Sequence, residues 1–278
     1  MSKTITSISR PPLTGHPKRL SLEMARYHKR SLAPRDLTSE PRGCNSSFKS
    51  ALAGAGLSEA QGSDGVVVLV RRAAKWGAAL YDIVSSTQGS VTVQVGENRW
   101  TVPRIGPATA VASPQGWLNA LGAALLARDK TSIETLGRVE YQPPEQHNLQ
   151  YAAHTVPVIR SFGAYARGDG ELATTRRAQE IALEQSASPA RQALTLGPLS
   201  MLSALQTNDS AGFQTATVEA LQWYRDYIVA DEWAHAHEKL LPWLLLGLAA
   251  RAHDRGWTVE VSSDYYPHWL VAGQPQPA

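Results

Sequence analysis

Apolar residues recur at helical spacing along most of this 278-residue chain. In the segment 66–86, for example, Val70, Ala73, Ala74 and Tyr81 fall on one face of a helix. The segment 240–254 is apolar nearly all round, which predicts a helix at the centre of the packing. The pattern predicts helices over 18–32, 45–57, 66–86, 114–129, 131 onward, 148–167, 171–185, 192–206, 211–229 and 240–254, and a last helical turn within 264–271.

Local signals predict where two of these helices begin. Ser113 can cap the helix that starts at Pro114, because serine accepts a hydrogen bond from the first turn and proline suits the first helical position. Thr131-Ser132-Ile133-Glu134 has the form of a capping box, so we expect a new helix to start there. Two helices joined so tightly must be neighbours in space.

The period changes from helical to alternating in one region. Valines alternate with polar residues over 91–95, the segment 96–98 predicts a turn, and alternation resumes over 100–102. These features predict a β-hairpin. Trp257, Val259 and Val261 alternate in the same way and predict a short strand near the end of the chain.

Short Gly, Pro or Asp breaks separate the predicted helices. We therefore predict a mainly all-α fold, an irregular array of stacked antiparallel helical hairpins with one small β-hairpin insertion. The array is repeat-like but has no fixed period, so it differs from tetratricopeptide proteins. The predicted organisation is a flexible N-terminal arm over 1–16, a single helical domain over 17–272 and a tail over 273–278.

Charge and cysteine content restrict the classes of function. Residues 1–50 carry 10 Lys/Arg and 3 Asp/Glu, whereas the rest has a net charge of −4. The basic segment has few aromatic residues and precedes no recognised nucleic-acid module, so we expect no nucleic-acid binding. No apolar run approaches the ~20 residues that cross a bilayer. The single cysteine, Cys44, excludes an internal disulfide, and we expect a cytoplasmic protein without membrane contact.

Three short matches to enzyme motifs are incomplete. Ser46-Ser47-Phe48-Lys49 fits Ser-x-x-Lys, but the motifs that accompany it in penicillin-recognising enzymes are absent. Gly54-Ala55-Gly56 lacks the third glycine and the preceding strand of a dinucleotide-binding loop. Cys44 has basic neighbours but no base that the sequence identifies, and lone cysteines are usually inert. No catalytic residue is predicted.

Aromatic and acidic residues cluster between positions 223 and 238. Trp223 and Tyr227 lie four residues apart and share a helix face, beside several carboxylates. Aromatic anchors within a charged rim are typical of protein-binding surfaces, although most such aromatics belong to a core. The predicted partner-binding residues are Trp223, Asp226, Tyr227, Asp231, Glu232, Trp233 and Glu238.

The same segment contains candidate metal ligands. Glu232 and His235 are three residues apart and share a helix face, whereas His237 joins them only if the backbone is locally extended. A second Glu-x-x-His is absent, and Leu241 replaces the last histidine of a His-Glu-x-x-His zinc motif. We expect a solvated charged segment and no cofactor. The alternative is one divalent metal ion bound by Glu232, His235 and His237, with help from Glu238.

Several segments together resemble the immunity protein 49 family, proposed antidotes encoded beside bacterial polymorphic toxins. The most specific part is Asp254-Arg255-Gly256, followed by Val259-Glu260-Val261 and then Ser263-Asp264-Tyr265-Tyr266-Pro267. The order and spacing of the segments carry the resemblance, which covers nearly the whole chain. The resembling segments are Met1–Arg10, Trp76–Pro103, Gly116–Asp129 and Ala249–Leu270.

The resemblance implies an all-helical cytoplasmic protein that binds a toxin domain, often a nuclease, and blocks it by occlusion. It implies no catalytic residues. His235 and His237 fall where a variable acidic linker is expected in this family, so a second hypothesis is a member repurposed as an enzyme. That enzyme would use a metal or act in a small-molecule pathway. A third is a helical scaffold or adaptor. The oligomeric state stays open.

Overall fold

The computed structural model describes residues 7–10, 17–32, 42–60, 65–95, 97–104, 112–139, 152–185, 188–230 and 236–274. Within these ranges the protein is mainly helical, which confirms the predicted fold class. The helices are α1 (Pro17–Arg30), α2 (Arg42–Ala60), α3 (Val66–Ser85), α4 (Pro114–Ala127), α5 (Lys130–Arg138), α6 (Thr155–Arg167), α7 (Leu172–Leu183), α8 (Pro189–Arg191), α9 (Gly197–Gln206), α10 (Ser210–Ala230), α11 (Trp243–His253) and α12 (His268–Val271). The strands are β1 (Ser7–Ile8), β2 (Ser90–Val95), β3 (Asn98–Pro103) and β4 (Ser262–Ser263).

Helices α3, α4 and α11 form the centre of the packing. Helix α3 lies between α2 and α4, and α4 packs along α11. Every residue of α11 is buried except Arg251 and His253, so its predicted central position is confirmed. Within the described parts of the chain, no helix is both long and apolar enough to cross a membrane.

Two glycines allow the backbones of α4 and α11 to touch. A Cβ atom placed on Gly122 would lie 2.4 Å from the carbonyl carbon of Trp243. A Cβ atom on Gly247 would lie 2.5 Å from the carbonyl oxygen of Gly122. Both distances are far below van der Waals contact, so a larger residue at either position would force the helices apart.

The predicted cap of α4 is confirmed, and that of α5 is wrong. Ser113 Oγ accepts a hydrogen bond from the amide of Gly116 at 3.0 Å. Helix α5 begins at Lys130, and Asp129 caps it by accepting a hydrogen bond from the amide of Ser132 at 3.2 Å. Helix α4 ends immediately before it, at a left-handed Arg128. Asp129 therefore occupies the capping position, and Thr131, the predicted cap, lies inside the first turn of the helix.

The predicted β-hairpin is confirmed, and the structure gives its register. Strands β2 and β3 pair antiparallel, with Val91 opposite Val102 and Val93 opposite Trp100. Val93 and Val102 are buried, and β2 packs on α3. Trp100 lies with its ring centre 5.9 Å from that of Trp76 on α3. One face of the hairpin thus belongs to the core.

The helix predicted over 192–206 starts earlier and is interrupted. Ser188 caps α8, and a π-helical turn over Gln192–Leu196 joins α8 to α9. Pro198 has no amide hydrogen to donate to the carbonyl four residues before it, which favours the wider turn. This turn also lets Gly197 approach α10, where its Cβ atom would lie 2.7 Å from Ala220 Cβ.

The N-terminal segment is not wholly an arm. Strand β1 pairs in parallel with β4, and Ile8 is only 1% exposed. Arg10 lies 2.9 Å from Glu59 in a largely buried ion pair. The arm predicted over 1–16 therefore contains a segment fixed to the domain. The strand predicted over 257–261 is wrong: Val259 and Val261 are buried, but the pairing falls on the next two residues.

Candidate partner-binding site

The structure places four of the seven predicted partner-binding residues. Trp223, Asp226 and Tyr227 lie on α10, and Glu238 lies in a 3-10 turn over His237–Lys239. Asp231, Glu232 and Trp233 fall outside the described residues, as does the candidate ligand His235. Trp223 is half-buried and packs against the core.

The 3-10 turn is held from the side of α10 and α11. Tyr224 donates a hydrogen bond from Oη to the carbonyl of Lys239 at 2.8 Å. Trp243 donates one from Nε1 to the carbonyl of Glu238 at 3.0 Å. Both rings are buried, and burial raises the pKa of Tyr224 well above its ordinary value, so its hydroxyl stays a donor. The turn is therefore a rigid feature of the surface.

Helices α1 and α2 hold the opposite side of the same turn. His237 Nδ1 lies 3.2 Å from Tyr27 Oη on α1. The carbonyl oxygen of His237 approaches Gly56 on α2 so closely that a Cβ atom there would lie 2.6 Å away. The turn thus connects four helices, which explains how a short polar segment keeps a fixed position.

A cavity of about 110 Å³, which we name the turn cavity, lies beside this turn. It brings together Tyr227 and Glu238, two predicted partner-binding residues from different elements. Lys239 Nζ lies 5.3 Å from the centre of the Tyr227 ring, within the range of a cation–π contact. The other lining residues are Gln115, Asn119, Ala193, Leu194, Pro198, Tyr224, Leu241, Pro242, Trp243, Leu244 and Leu245.

Sequence reasoning missed the lining residues contributed by α4 and by the π-helical turn. Gln115 and Asn119 lie on α4, joined by a 3.0 Å hydrogen bond between their side chains. Leu194 lies in the π-helical turn, which is a backbone feature frequent at functional sites. Gly197-Pro198 is the one local signal that could have indicated the irregular turn. Nothing in the sequence indicates that it faces Tyr227.

The described part of the acidic cluster is partly neutralised. Asp226 is exposed and lies 2.7 Å from the guanidinium of its neighbour Arg225. Glu238 is followed directly by Lys239. Exposed ion pairs of this kind contribute little to stability. The described residues around Tyr227 therefore carry charges of both signs and do not form a purely acidic surface.

Of the candidate metal ligands, the structure places His237 and Glu238 in the 3-10 turn, and His237 already has neighbours at both ring nitrogens. Its Nε2 lies 3.7 Å from Glu23 Oε2, and its Nδ1 faces Tyr27. Within the described residues, no three His, Cys, Asp or Glu side chains are grouped as metal ligands. Because Glu232 and His235 lie outside those residues, the metal site stays a prediction.

Cys44 has no feature of a nucleophile. Its side chain is fully buried in the core, and burial raises the pKa of its thiol to about 12. At neutral pH the thiolate, which is the reactive form, is essentially absent. The sequence expectation of an inert cysteine agrees with this environment.

We expect the pKa of His237 to lie below its ordinary value of about 6.5. Burial lowers this pKa, Glu23 raises it and Arg19 lowers it, and burial is the largest of the three effects. The close approach of Glu23 is therefore not an ion pair at neutral pH. NMR titration of the ring protons should show a further decrease in Glu23→Gln and an increase in Arg19→Gln.

The same shift makes stability depend on pH. The unfolded chain binds a proton at His237 more readily than the folded protein does. The stability that depends on a neutral His237 is therefore fully present above the pKa of the unfolded chain, and it is lost as pH falls through the pKa of the folded protein. The free energy of unfolding should therefore decrease on acidification, and less so in His237→Gln. A measured His237 pKa of 6.5 or above would contradict both expectations.

Comparison with known proteins agrees with the resemblance seen in the sequence. A family model described as Immunity protein 49 matches residues 60–270, which is most of the chain. The match includes α3 to α11, and hence every element that lines the turn cavity. No curated protein and no solved structure gives a significant match.

Proposed function

We propose that this chain, which belongs to the immunity protein 49 family, binds a cognate toxin domain in the cytoplasm and occludes its active site. An immunity role in general follows from the family. The contact surface that we propose is centred on the turn cavity and includes Tyr227, Asp226 and Glu238. The turn cavity is the observation that carries this placement.

The size of the cavity favours a protein partner over a small substrate. The volume of the turn cavity is about 110 Å³. Pockets for drug-sized ligands are roughly 300–1,000 Å³. A single side chain of a partner protein is the kind of group that this volume suits, and energetically important side chains in interfaces commonly enter such small pockets.

The rigidity of the surroundings supports the same placement. Hydrogen bonds from Tyr224 and Trp243 fix the backbone of the 3-10 turn. This protein therefore loses little conformational freedom when a partner binds there. Tyr227 offers an aromatic face and Glu238 a carboxylate to the cavity, and Asp226 is the exposed residue next to Tyr227 on α10. An interface of about 800 Å² per partner would extend well beyond the cavity.

A nuclease is the class of toxin to examine first. Nucleases bind the phosphate backbone with basic clefts, and carboxylates such as those of Asp226 and Glu238 are complementary to basic surfaces. Arg225 pairs with Asp226 and Lys239 lies beside Tyr227, so this complementarity would fix the orientation of the partner more than it would supply affinity.

In the first step, the whole tagged chain is used to capture its partner from the native host. The bound toxin domain is then identified by mass spectrometry. The purified domain is then titrated against variants. Tyr227→Ala should weaken binding by about 30-fold, which corresponds to a hot-spot residue of about 2 kcal/mol. Tyr227→Phe keeps the ring and should bind nearly as well as the wild type.

A matched ion pair elsewhere on the surface, Arg167–Asp169, provides the control. Asp226→Asn should weaken binding, whereas Asp169→Asn should not, although Asp169 is similarly exposed and pairs with Arg167 at 3.1 Å. If Tyr227→Ala and Asp226→Asn both bind like the wild type while the toxin is still captured, the placement at the turn cavity is wrong and the immunity role stands.

The other two hypotheses predict different results of the same capture. An enzyme with a metal bound by Glu232, His235 and His237 would contain stoichiometric divalent metal, which His237→Ala would lose, and would retain no toxin. A scaffold would retain a host protein without toxin activity.

A further inference from the structure

A second and larger cavity, which we name the basic cleft, lies between α5, α6, α7, α9 and α11. Its volume is about 580 Å³, within the range of small-molecule sites. The turn cavity and the basic cleft have no lining residue in common. Any function of the cleft is therefore separate from that of the turn cavity.

Basic side chains dominate the charge of the cleft. Lys130, Arg167, Arg251 and Arg255 line it, and Glu134 is the one carboxylate among its lining residues. Asp169 pairs with Arg167 at 3.1 Å, so the excess of positive charge in this concave surface comes from Lys130, Arg251 and Arg255 against Glu134. A concave surface of one sign focuses its potential and attracts ligands of the opposite sign.

The basic residues divide into a fixed pair and a free pair. Arg167 donates to the carbonyl of Gly137 at 2.9 Å and to the carboxylate of Asp169 at 3.1 Å. Arg255 donates to the carbonyl of Leu205 at 2.6 Å. These bonds hold the two guanidinium groups in place and leave part of their donor capacity for a ligand. Lys130 and Arg251 form no hydrogen bond or ion pair with the described residues, so their charges are available.

Two buried polar atoms in the same cleft also lack a partner. Tyr165 Oη and Gln206 Oε1 are both shielded from solvent, and neither has a hydrogen bond in the described structure. The amide of Gln206 is oriented by a 3.2 Å hydrogen bond from its Nε2 to the carbonyl of Gly170. This bond identifies Oε1 as the free acceptor, so a complementary ligand must supply a donor there.

We propose that the basic cleft binds a small hydroxylated anion that carries carboxylate or phosphate groups. Arg251 and Lys130 contact the anionic groups, together with the donors that Arg167 and Arg255 leave free. Tyr165 donates its hydroxyl to the anion. A hydroxyl group of the ligand donates to Gln206 Oε1, which discriminates a hydroxy acid from the same acid without its hydroxyl.

Isothermal titration calorimetry of the whole chain at constant ionic strength tests the proposed anion binding, with citrate and tricarballylate as probes. Both are tricarboxylates, and tricarballylate lacks only the hydroxyl group. Citrate should bind with one-to-one stoichiometry and at least tenfold more tightly than tricarballylate. Inorganic phosphate, a smaller anion, should compete with citrate.

Variants locate the binding. Arg251→Gln should weaken citrate binding at least tenfold, and Tyr165→Phe should weaken it without changing the charge. Arg176→Gln removes an exposed arginine of α7 that does not line the cleft, and should leave citrate binding unchanged. Absence of citrate binding at millimolar concentration, or equal losses in Arg251→Gln and Arg176→Gln, would overturn the proposal. Equal affinity for both tricarboxylates would overturn the role of Gln206.

Discussion

Replacing Gly122 with leucine is expected to lower the free energy of unfolding by about 3 kcal/mol or more, and to prevent folding if the native state is less stable than that. The reason is the backbone contact between α4 and α11. Even a Cβ atom would lie 2.4 Å from both the carbonyl carbon and the carbonyl oxygen of Trp243. Backbone atoms cannot move aside as a flexible side chain can, so the two central helices would have to separate.

Gly163→Ala provides the matched control for this prediction. Gly163 lies within α6 and is buried, but its added Cβ atom would meet its nearest neighbours at 3.7 and 3.9 Å, which are ordinary contacts. Alanine there should stabilise the protein by about 0.5–1 kcal/mol through helix propensity. Urea unfolding followed by circular dichroism measures both variants. A Gly122→Leu protein as stable as the wild type would show that α4 and α11 do not touch.

Replacing Trp243 with alanine is the second change for which we expect a large effect, about 3–5 kcal/mol of lost stability. The side chain is 2% exposed, at the start of α11. Its removal leaves a cavity and also deletes the hydrogen bond that the indole donates to the carbonyl of Glu238. The variant should therefore loosen the 3-10 turn as well as weaken the core.

Trp243→Phe separates these two effects. Phenylalanine retains most of the buried ring but cannot donate to Glu238, so its loss of stability should be smaller, about 1–2 kcal/mol. Urea unfolding by circular dichroism again applies, because fluorescence would change with the loss of the indole. If the alanine and phenylalanine variants were equally stable, packing of the ring would not be the main contribution of Trp243.

The sequence alone determined the elements that depend on local periodicity. Helix α3 was predicted over 66–86 and runs over Val66–Ser85, and the alternating segments predicted to form a hairpin pair as β2 and β3. The apolar character of 240–254 predicted the central position of α11 because a helix without a polar face must be buried on all sides. These predictions are correct because the hydrophobic pattern and the local structure have the same period.

The sequence predicted the candidate site only in part. Tyr227 and Glu238 were selected from composition, and both line the turn cavity. The lining contributed by Gln115 and Leu194 was missed because those residues are more than 30 positions from Tyr227 along the chain. Composition within one segment carries no information about which distant segments face it.

Only the tertiary structure decided the features that require distant residues to meet. Ile8 was assigned to an arm, yet it is buried because β1 pairs with Ser262–Ser263 at the other end of the chain. The basic cleft likewise combines Lys130 with Arg251 from separate helices. Local pattern fixes which face of an element is apolar, whereas close packing of whole elements decides which polar groups share a cavity.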